Sequence, residues 1–235
     1  MRAMILAAGL GLRMGTLTEK TPKSLLRVAE YYLIEYALFS LKQADINEVI
    51  INISNQGEQI KNALGNGKRY GMRIFYSEEK ERLETGGGIL QALPFFENQP
   101  FLVLSSDVIT DYPLENLKKY PKKLAHLVLV DNPSYHPEGD FGLDFDEVKR
   151  EKTPKLTFAN IGLYHPQLFS NCKKGFFPLS QILFPAVANH LVTGEYYQGM
   201  WYNIGTPLDL QEINLRARED SNLRPLVSET NTLSS

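Results

Sequence analysis

In the stretch MILAAGLGLRMGTLTEKTPKSLL (4–26), an apolar run passes into Gly9 and Gly11, then Arg13, and Lys23 follows a proline. A strand that empties into glycine leaves backbone N–H groups unshielded. Such groups bind phosphate oxygens because no side chain blocks their approach. Arg13 adds a planar fork of donors and Lys23 adds a point charge. The chemistry on offer is anion binding, although a solvated turn between surface cations satisfies the same glycine spacing. A dinucleotide fingerprint needs a third glycine where Met14 stands, and no Gly-Lys-Ser/Thr follows to make a Walker A loop. A second glycine run, 86–88, enters an apolar helical pattern directly after Glu84 and Thr85. It predicts an open helix start that favours anions or polar ligand edges, or else a flexible turn. Asp107 closes the apolar run 101–107. At the carboxyl end of a central strand an aspartate points into the ligand crevice of an open α/β sheet, while capping a following helix is its other use.

These residues need a scaffold, and the pattern of the chain supplies one. Apolar runs at 2–8, 48–54, 72–78, 101–107, 125–131 and 156–164 read as strands. Helical spacing or helix punctuation marks 32–44, 56–65 and 179–190. Strands alternating with helices predict an α/β fold, a single domain over 1–218 with a mixed, mostly parallel central sheet flanked by helices. Apolar periodicity fades at the end, so 219–235 reads as a frayed tail.

Composition narrows the function classes. The 235 residues carry 43% apolar and 22% charged side chains and a net charge of −2, which fits a globular protein with neither nucleic acid nor membrane as partner. The apolar run near the start is too short for a secretion signal and has only Arg2 before it. Cys172 is the one cysteine, so no internal disulfide forms, and a cytoplasmic location is the expectation. His126, His136, His165 and His190 are scattered without metal-ligand spacing. The aromatic pairs at 31–32, 95–96 and 176–177 read as packing residues rather than base-stacking platforms.

The two blocks LAAGLGLRM and TPKSLL, in that order, resemble the signature of the sugar-1-phosphate nucleotidyltransferases, L-A-A-G-x-G-x-R-M followed by P-K-P-L. LETGGGI (83–89), HPEGDFGL (136–143) and the stretch 57–72 are similar to one branch, the N-acetylmuramate 1-phosphate uridylyltransferases of cell-wall recycling. The resemblance spans roughly residues 1–215. It implies a Rossmann-like nucleotidyltransferase fold, a nucleoside triphosphate and a sugar 1-phosphate as substrates, UTP among the triphosphates, and Mg²⁺ or Mn²⁺ as the metal. It implies a nucleotide site made of Leu6, Ala8, Gly9, Gly11, Leu12, Arg13, Lys23, Glu84, Thr85 and Gly86. Arg13, Lys23 and Asp107 would be catalytic, and Asp140, Gly142 and Asn160 would hold the sugar. It implies a metal held by Asp107 and by residue 203.

At 203 the sequence departs from that pattern. The family reads W-x-D-x-G-T and this chain reads Trp-Tyr-Asn-Ile-Gly-Thr, so Asn203 stands for the second metal-binding aspartate. Asn offers a carbonyl oxygen to a hard cation but no charge. Glu30, Tyr31 and Tyr32 replace an expected glycine turn and proline, and the resemblance puts them in the wall beside Lys23. Two alternatives stay open: a transferase for another hexose 1-phosphate or phosphocholine, and an impaired homologue that binds nucleotide or sugar phosphate without transferring.

Overall fold

The computed structural model describes residues 1–119 and 123–219; the expected tail, apart from the backbone of Glu219, lies outside them. The chain runs β1 (Arg2–Leu6), β2 (Arg27–Val28), β3 (Tyr31–Tyr32), α1 (Leu33–Gln43), β4 (Glu48–Ile53), α2 (Gly57–Leu64), β5 (Arg73–Glu78) and α3 (Glu84–Ala92). It continues with β6 (Phe101–Ser105), β7 (Val108–Thr110), β8 (Ala125–Val130), β9 (Gly142–Asp144), β10 (Glu147–Lys149), β11 (Thr157–Tyr164), α4 (Ser180–Ala188), β12 (Val192–Tyr196), β13 (Trp201–Asn203) and α5 (Pro207–Glu219).

Nine strands form one sheet in the order β5-β4-β1-β6-β11-β8-β12-β10-β9. The first four are mutually parallel. β11 then lies antiparallel to both β6 and β8, and β12 is parallel to β8. The sheet is therefore parallel on one side and mixed on the other. Successive side chains of a strand point to opposite faces, and the core divides accordingly. Ala3, Ile5, Val49, Ile51, Leu102 and Leu104 pack with Ile34, Leu38 and Leu41 of α1 and Ile60 of α2. Met4, Ile50, Phe101 and Val103 pack on the other face with Ile89 of α3 and Leu183 and Val187 of α4. Strands buried on both faces need near-continuous apolar sequence, which is why 101–104 reads as an unbroken run and 48–54 is interrupted inside the strand only at Asn52.

A third, smaller cluster closes one end. Val28, Leu33 and Tyr36 meet Ile109, Ile204 and Ile213, so the β7–β13 ladder and α5 dock beside α1. The residues 30–32 belong to this region. Ala29, with a left-handed φ of 52°, turns the β2–β3 hairpin. Tyr31 meets Phe39 edge-on at 5.1 Å between ring centres. The Tyr32 N–H donates to Glu35 Oε2 at 2.7 Å and opens α1. These three residues build a helix start and line none of the cavity beside Lys23.

Candidate functional site

β1 ends at Leu6, and the chain leaves the sheet at the carboxyl edge of its parallel half. Three hydrogen bonds hold the exit. The Ala7 N–H donates to Asn52 Oδ1 at 2.8 Å, the Ser54 hydroxyl donates to the Ala8 carbonyl at 2.9 Å, and the Ser106 N–H donates to the Leu6 carbonyl at 3.1 Å. Beyond this anchor, the N–H groups of Gly9, Leu10 and Gly11 donate to no protein acceptor among the described residues. Gly11 sits at φ 63°, and a Cβ there would stand 3.0 Å from Thr18 Cγ2 and 3.2 Å from Lys23 Cβ. Only glycine enters that backbone region freely, and its missing side chain lets the loop fold over Lys23.

Lys23 opens a short 3₁₀ turn, Lys23–Leu25. Its ammonium pairs with Asp107 Oδ2, and both side chains are largely enclosed, at 13% and 18% exposure. No other protein group among the described residues bonds to the Asp107 carboxylate. A cavity of about 200 Å³ opens over this pair. Its walls bring together Leu6, Ala8, Gly9, Lys23, Glu84, Thr85, Asp107 and Asn160 of the residues singled out in the sequence. Asn160 reaches it through a bulge: the β11–β8 register shifts between Phe158 and Gly162, and Asn160 takes a left-handed φ of 58°. A non-glycine residue in that conformation is a strained position of the kind that clusters at functional sites.

The remaining residues lie elsewhere. Leu12 is 77% exposed on the outer rim of the loop. Arg13 is exposed too, and its guanidinium rests against Gly205, where a Cβ would come within 3.2 Å of it. Gly11, Leu12 and Arg13 do not line the cavity. Gly86 lies behind its wall: the Gly86 and Gly87 N–H groups both donate to the Phe177 carbonyl, at 3.0 and 3.1 Å. The helix start expected to be open is therefore closed by its neighbour, and its glycines serve close packing. Asp140 is committed to its own loop, accepting from the Phe158 N–H at 2.8 Å and facing His136 Nε2 at 3.2 Å. Gly142 is buried, with the Lys152 carbonyl 2.2 Å from where its Cβ would be. Neither Asp140 nor Gly142 borders the cavity.

The cavity wall also includes residues outside the candidate set read from the sequence, Arg82, Asn52 and Glu79 among them. Asn52 donates to Glu79 Oε1 at 2.7 Å while its own oxygen holds the Ala7 N–H, so it ties the glutamate to the glycine loop. Burial pushes the Glu79 carboxyl above its ordinary range, against the pull of the Asn52 and Leu83 donors. The one available signal was a polar residue inside the β-branched run of β4; Asn52 is only 3% exposed.

Asn203 closes β13 opposite Val108 of β7, and the next N–H, of Ile204, donates to the Asp107 carbonyl at 2.9 Å. Asn203 borders a second cavity, of about 290 Å³, together with Tyr135, Trp201 and Asp209. Its amide donates to the Tyr135 hydroxyl at 3.4 Å. Among the described residues no three His, Cys, Asp or Glu side chains gather as a metal cage. Asp107 offers a carboxylate beside Lys23, and Asn203, one residue before the N–H that holds the Asp107 carbonyl, offers an amide oxygen; both are hard oxygen donors. A cation such as Mg²⁺ takes few protein ligands and fills its shell with phosphate and water, and this donor set fits one. A larger cavity of about 800 Å³, lined by Cys172, Phe176 and Pro185, lies on the far side of the 170–177 loop and contains none of these groups.

Free backbone donors and an ion pair at the carboxyl edge of a parallel sheet make a site suited to anionic ligands such as phosphate esters. The chain belongs to the nucleotidyl transferase family, whose pattern matches residues 2–220, and it is an enzyme of that transferase class. It is 43% identical over 222 residues to an N-acetylmuramate alpha-1-phosphate uridylyltransferase of Neisseria meningitidis serogroup B, covering 90% of this chain and 96% of that protein. It is 30% identical to a mannose-1-phosphate guanyltransferase beta-A of Xenopus laevis, and the match spans 62% of that longer protein. Among solved structures, a putative glucose-1-phosphate thymidylyltransferase from Bacillus anthracis superposes with a TM-score of 0.81 at 23% identity, over 94% of this chain and 96% of that one. A UDP-glucose pyrophosphorylase complexed with UDP-glucose gives 0.74 at 18% identity, over 93% and 98%. At these identities the structures establish the shared fold. No helix among the described residues is long and apolar enough to cross a membrane.

Proposed function

We propose that this enzyme transfers a uridylyl group from UTP to N-acetylmuramic acid 1-phosphate and releases pyrophosphate. The observation that carries the acceptor is the 43% identity over almost the whole length of the Neisseria enzyme, against 30% over part of the guanyltransferase. The cavity supports the reaction type. An oxygen of the sugar phosphate forms a new bond to the α-phosphorus, the bond from that phosphorus to the bridging oxygen breaks, and pyrophosphate carries the electron pair away. The nucleophile is already ionised near neutral pH, so no general base is required. The barrier lies in bringing two polyanions together in line and stabilising the charge they share.

The residues divide that work. The N–H groups of Gly9, Leu10 and Gly11 hold the triphosphate at the sheet edge. Lys23 exchanges Asp107 for phosphate oxygens, placing its charge between the α-phosphate and the incoming sugar phosphate. The exchange leaves the Asp107 carboxylate to a cation, with Asn203 as its neutral companion. Mg²⁺ or Mn²⁺, when bound by these two, supplies charge neutralisation across the reacting phosphates. Arg13, which rests on Gly205 in the structure, steadies the leaving pyrophosphate. Asn160, strained and facing the cavity, contacts the sugar. With this division of labour the enzyme works in the cytoplasm, where UTP is available, and its product feeds the reuse of cell-wall sugar.

A pyrophosphate-release screen tests the proposal, with UTP, GTP, CTP and dTTP each paired with N-acetylmuramate, N-acetylglucosamine, glucose and mannose 1-phosphates, in Mg²⁺ and in Mn²⁺. The highest kcat/KM is expected for UTP with N-acetylmuramic acid 1-phosphate, because its lactyl carboxylate is an extra anion that a matched site rewards. Equal values across the sugars overturn the acceptor, and a preference for another triphosphate overturns the uridylyl assignment.

A further inference from the structure

Tyr135 takes no part in the scheme above, yet it stands beside the residue at which this chain departs from its family pattern. Its hydroxyl accepts the Asn203 amide N–H at 3.4 Å. The charges of Arg13, Asp107 and Asp209 all reach its phenol, and Tyr135 lines the same cavity as Asn203 and Asp209. The loop beneath it is braced. Asn132 Nδ2 donates to the carbonyls of Pro137 and Lys155, each at 3.0 Å, and its Oδ1 accepts from Thr157 at 2.9 Å. Gly139, at φ 62°, brings the backbone against the Asn132 amide. Asp140, described above, fastens the loop to β11 through the Phe158 N–H. The loop thus presents Tyr135 from a fixed base, although the ring itself is 54% exposed.

An asparagine differs from an aspartate in having only one oxygen to give. To present Oδ1 to a cation it must turn Nδ2 away, and Nδ2 must find an acceptor there. An aspartate needs no such partner, because both its oxygens serve. We infer that Tyr135 is a positioning residue for the metal site: its hydroxyl holds Asn203 Nδ2, which fixes the amide with Oδ1 toward the Asp107 side. A neutral ligand is thereby made to serve where a second carboxylate is absent. The inference rests on the nucleotidyl-transfer reading for the presence of a metal, and on nothing about the acceptor sugar.

The test is a double-mutant cycle read by metal binding rather than turnover. Mn²⁺ is titrated by electron paramagnetic resonance into the full-length protein saturated with α,β-methylene-UTP, for wild type, Tyr135→Phe, Asn203→Asp and the double variant. Groups that orient a metal ligand typically contribute 10- to 100-fold in metal affinity, and a single exposed phenol belongs at the low end. Tyr135→Phe is expected to weaken Mn²⁺ about 10-fold, with its melting temperature unchanged. In the Asn203→Asp background the same change is expected to shift affinity less than about 2-fold, because a carboxylate has no face to set. An equal loss in both backgrounds, or no loss in the asparagine background, overturns the inference. Failure of the acceptor assignment shows separately, as no pyrophosphate release with N-acetylmuramic acid 1-phosphate while the cycle keeps its pattern.

Discussion

The two glycine-rich stretches of this chain look alike in sequence and do opposite work. In the first, Gly9 has nothing within 4 Å of where a Cβ would sit, and the N–H groups of Gly9, Leu10 and Gly11 have no protein acceptor among the described residues. In the second, a Cβ on Gly86 would lie 2.5 Å from the Phe177 ring, on Gly87 2.1 Å from the Gly175 carbonyl, and on Gly88 2.5 Å from Glu79 Oε1. One stretch leaves its backbone donors open, as the proposed phosphate site requires. The other omits side chains so that the protein can approach its backbone. The difference comes from what lies across from each: an open sheet edge faces the first, and the 170–177 loop is pressed on the second.

The comparison breaks first at Lys23, the cation under the bare loop. Lys23→Ala is expected to lower kcat by about 10²–10³-fold, the scale of losing one preorganised charge in a transition state, with a smaller change in KM. Circular dichroism and a thermal melt should show an intact fold, because the side chain packs in a turn rather than the core. Near-wild-type turnover would reduce Lys23 to a surface cation.

Gly87→Ala and Gly9→Ala then form a matched pair. The first forces a methyl group onto the Gly175 carbonyl, and overpacking of this kind costs about 1–3 kcal/mol. At about 2–4 °C per kcal/mol for a chain of this size, Tm should fall by roughly 2–12 °C. The second meets open space and no left-handed φ, so its stability should stay within about 0.5 kcal/mol of wild type. Its nucleotide KM should rise several-fold, because the methyl group would crowd the donors proposed to hold phosphate. Reversal of these two outcomes in melts and initial-rate assays would exchange the roles assigned to the two stretches.

The sequence disclosed the parts of this molecule that depend on one segment at a time. Apolar runs placed β1, β4 and β6, because each buries both faces and must be largely apolar. The first glycine loop was legible because strand, glycines and cations follow one another along the chain. The second reads as open in sequence because its partner, Phe177, is remote, and nothing local reveals that a carbonyl occupies the Gly86 and Gly87 donors. Glu79 stayed hidden for the same reason: it becomes a wall residue only when β4 brings Asn52 beside it. Asp140 and Gly142 were carried over from a motif, and the motif marks a braced loop whose contacts are with Phe158 and Lys152. Tyr135 carried no signal at all, since its significance depends on Asn203, which the fold brings beside it.

Glu79 sharpens the comparison most finely, because it joins the two stretches. Gly88 presses on its carboxylate from α3, while Asn52 links it to Ala7 at the foot of the glycine loop. Burial raises its folded pKa above the ordinary value of 4.5. The folded state therefore holds this proton more tightly than the unfolded chain does. Stability contributed by the protonated form is present below the unfolded value and is lost as pH rises through the folded one. In Glu79→Gln that slope should vanish, since an amide does not titrate. The Asn52 donor still finds an oxygen in the variant, but the Leu83 N–H, now 3.3 Å from Oε2, faces an NH₂ group and loses its acceptor. The variant should therefore melt below wild type at pH 4.5 and close part of that gap as pH climbs toward neutrality. The measurement is a pair of melting curves at half-unit steps from pH 4.5 to 7.5, compared as a difference so that other titrating groups cancel. A difference that stays flat would show that Glu79 is as solvated in the folded protein as in the unfolded chain, and that the packing of Gly88 does not bury it.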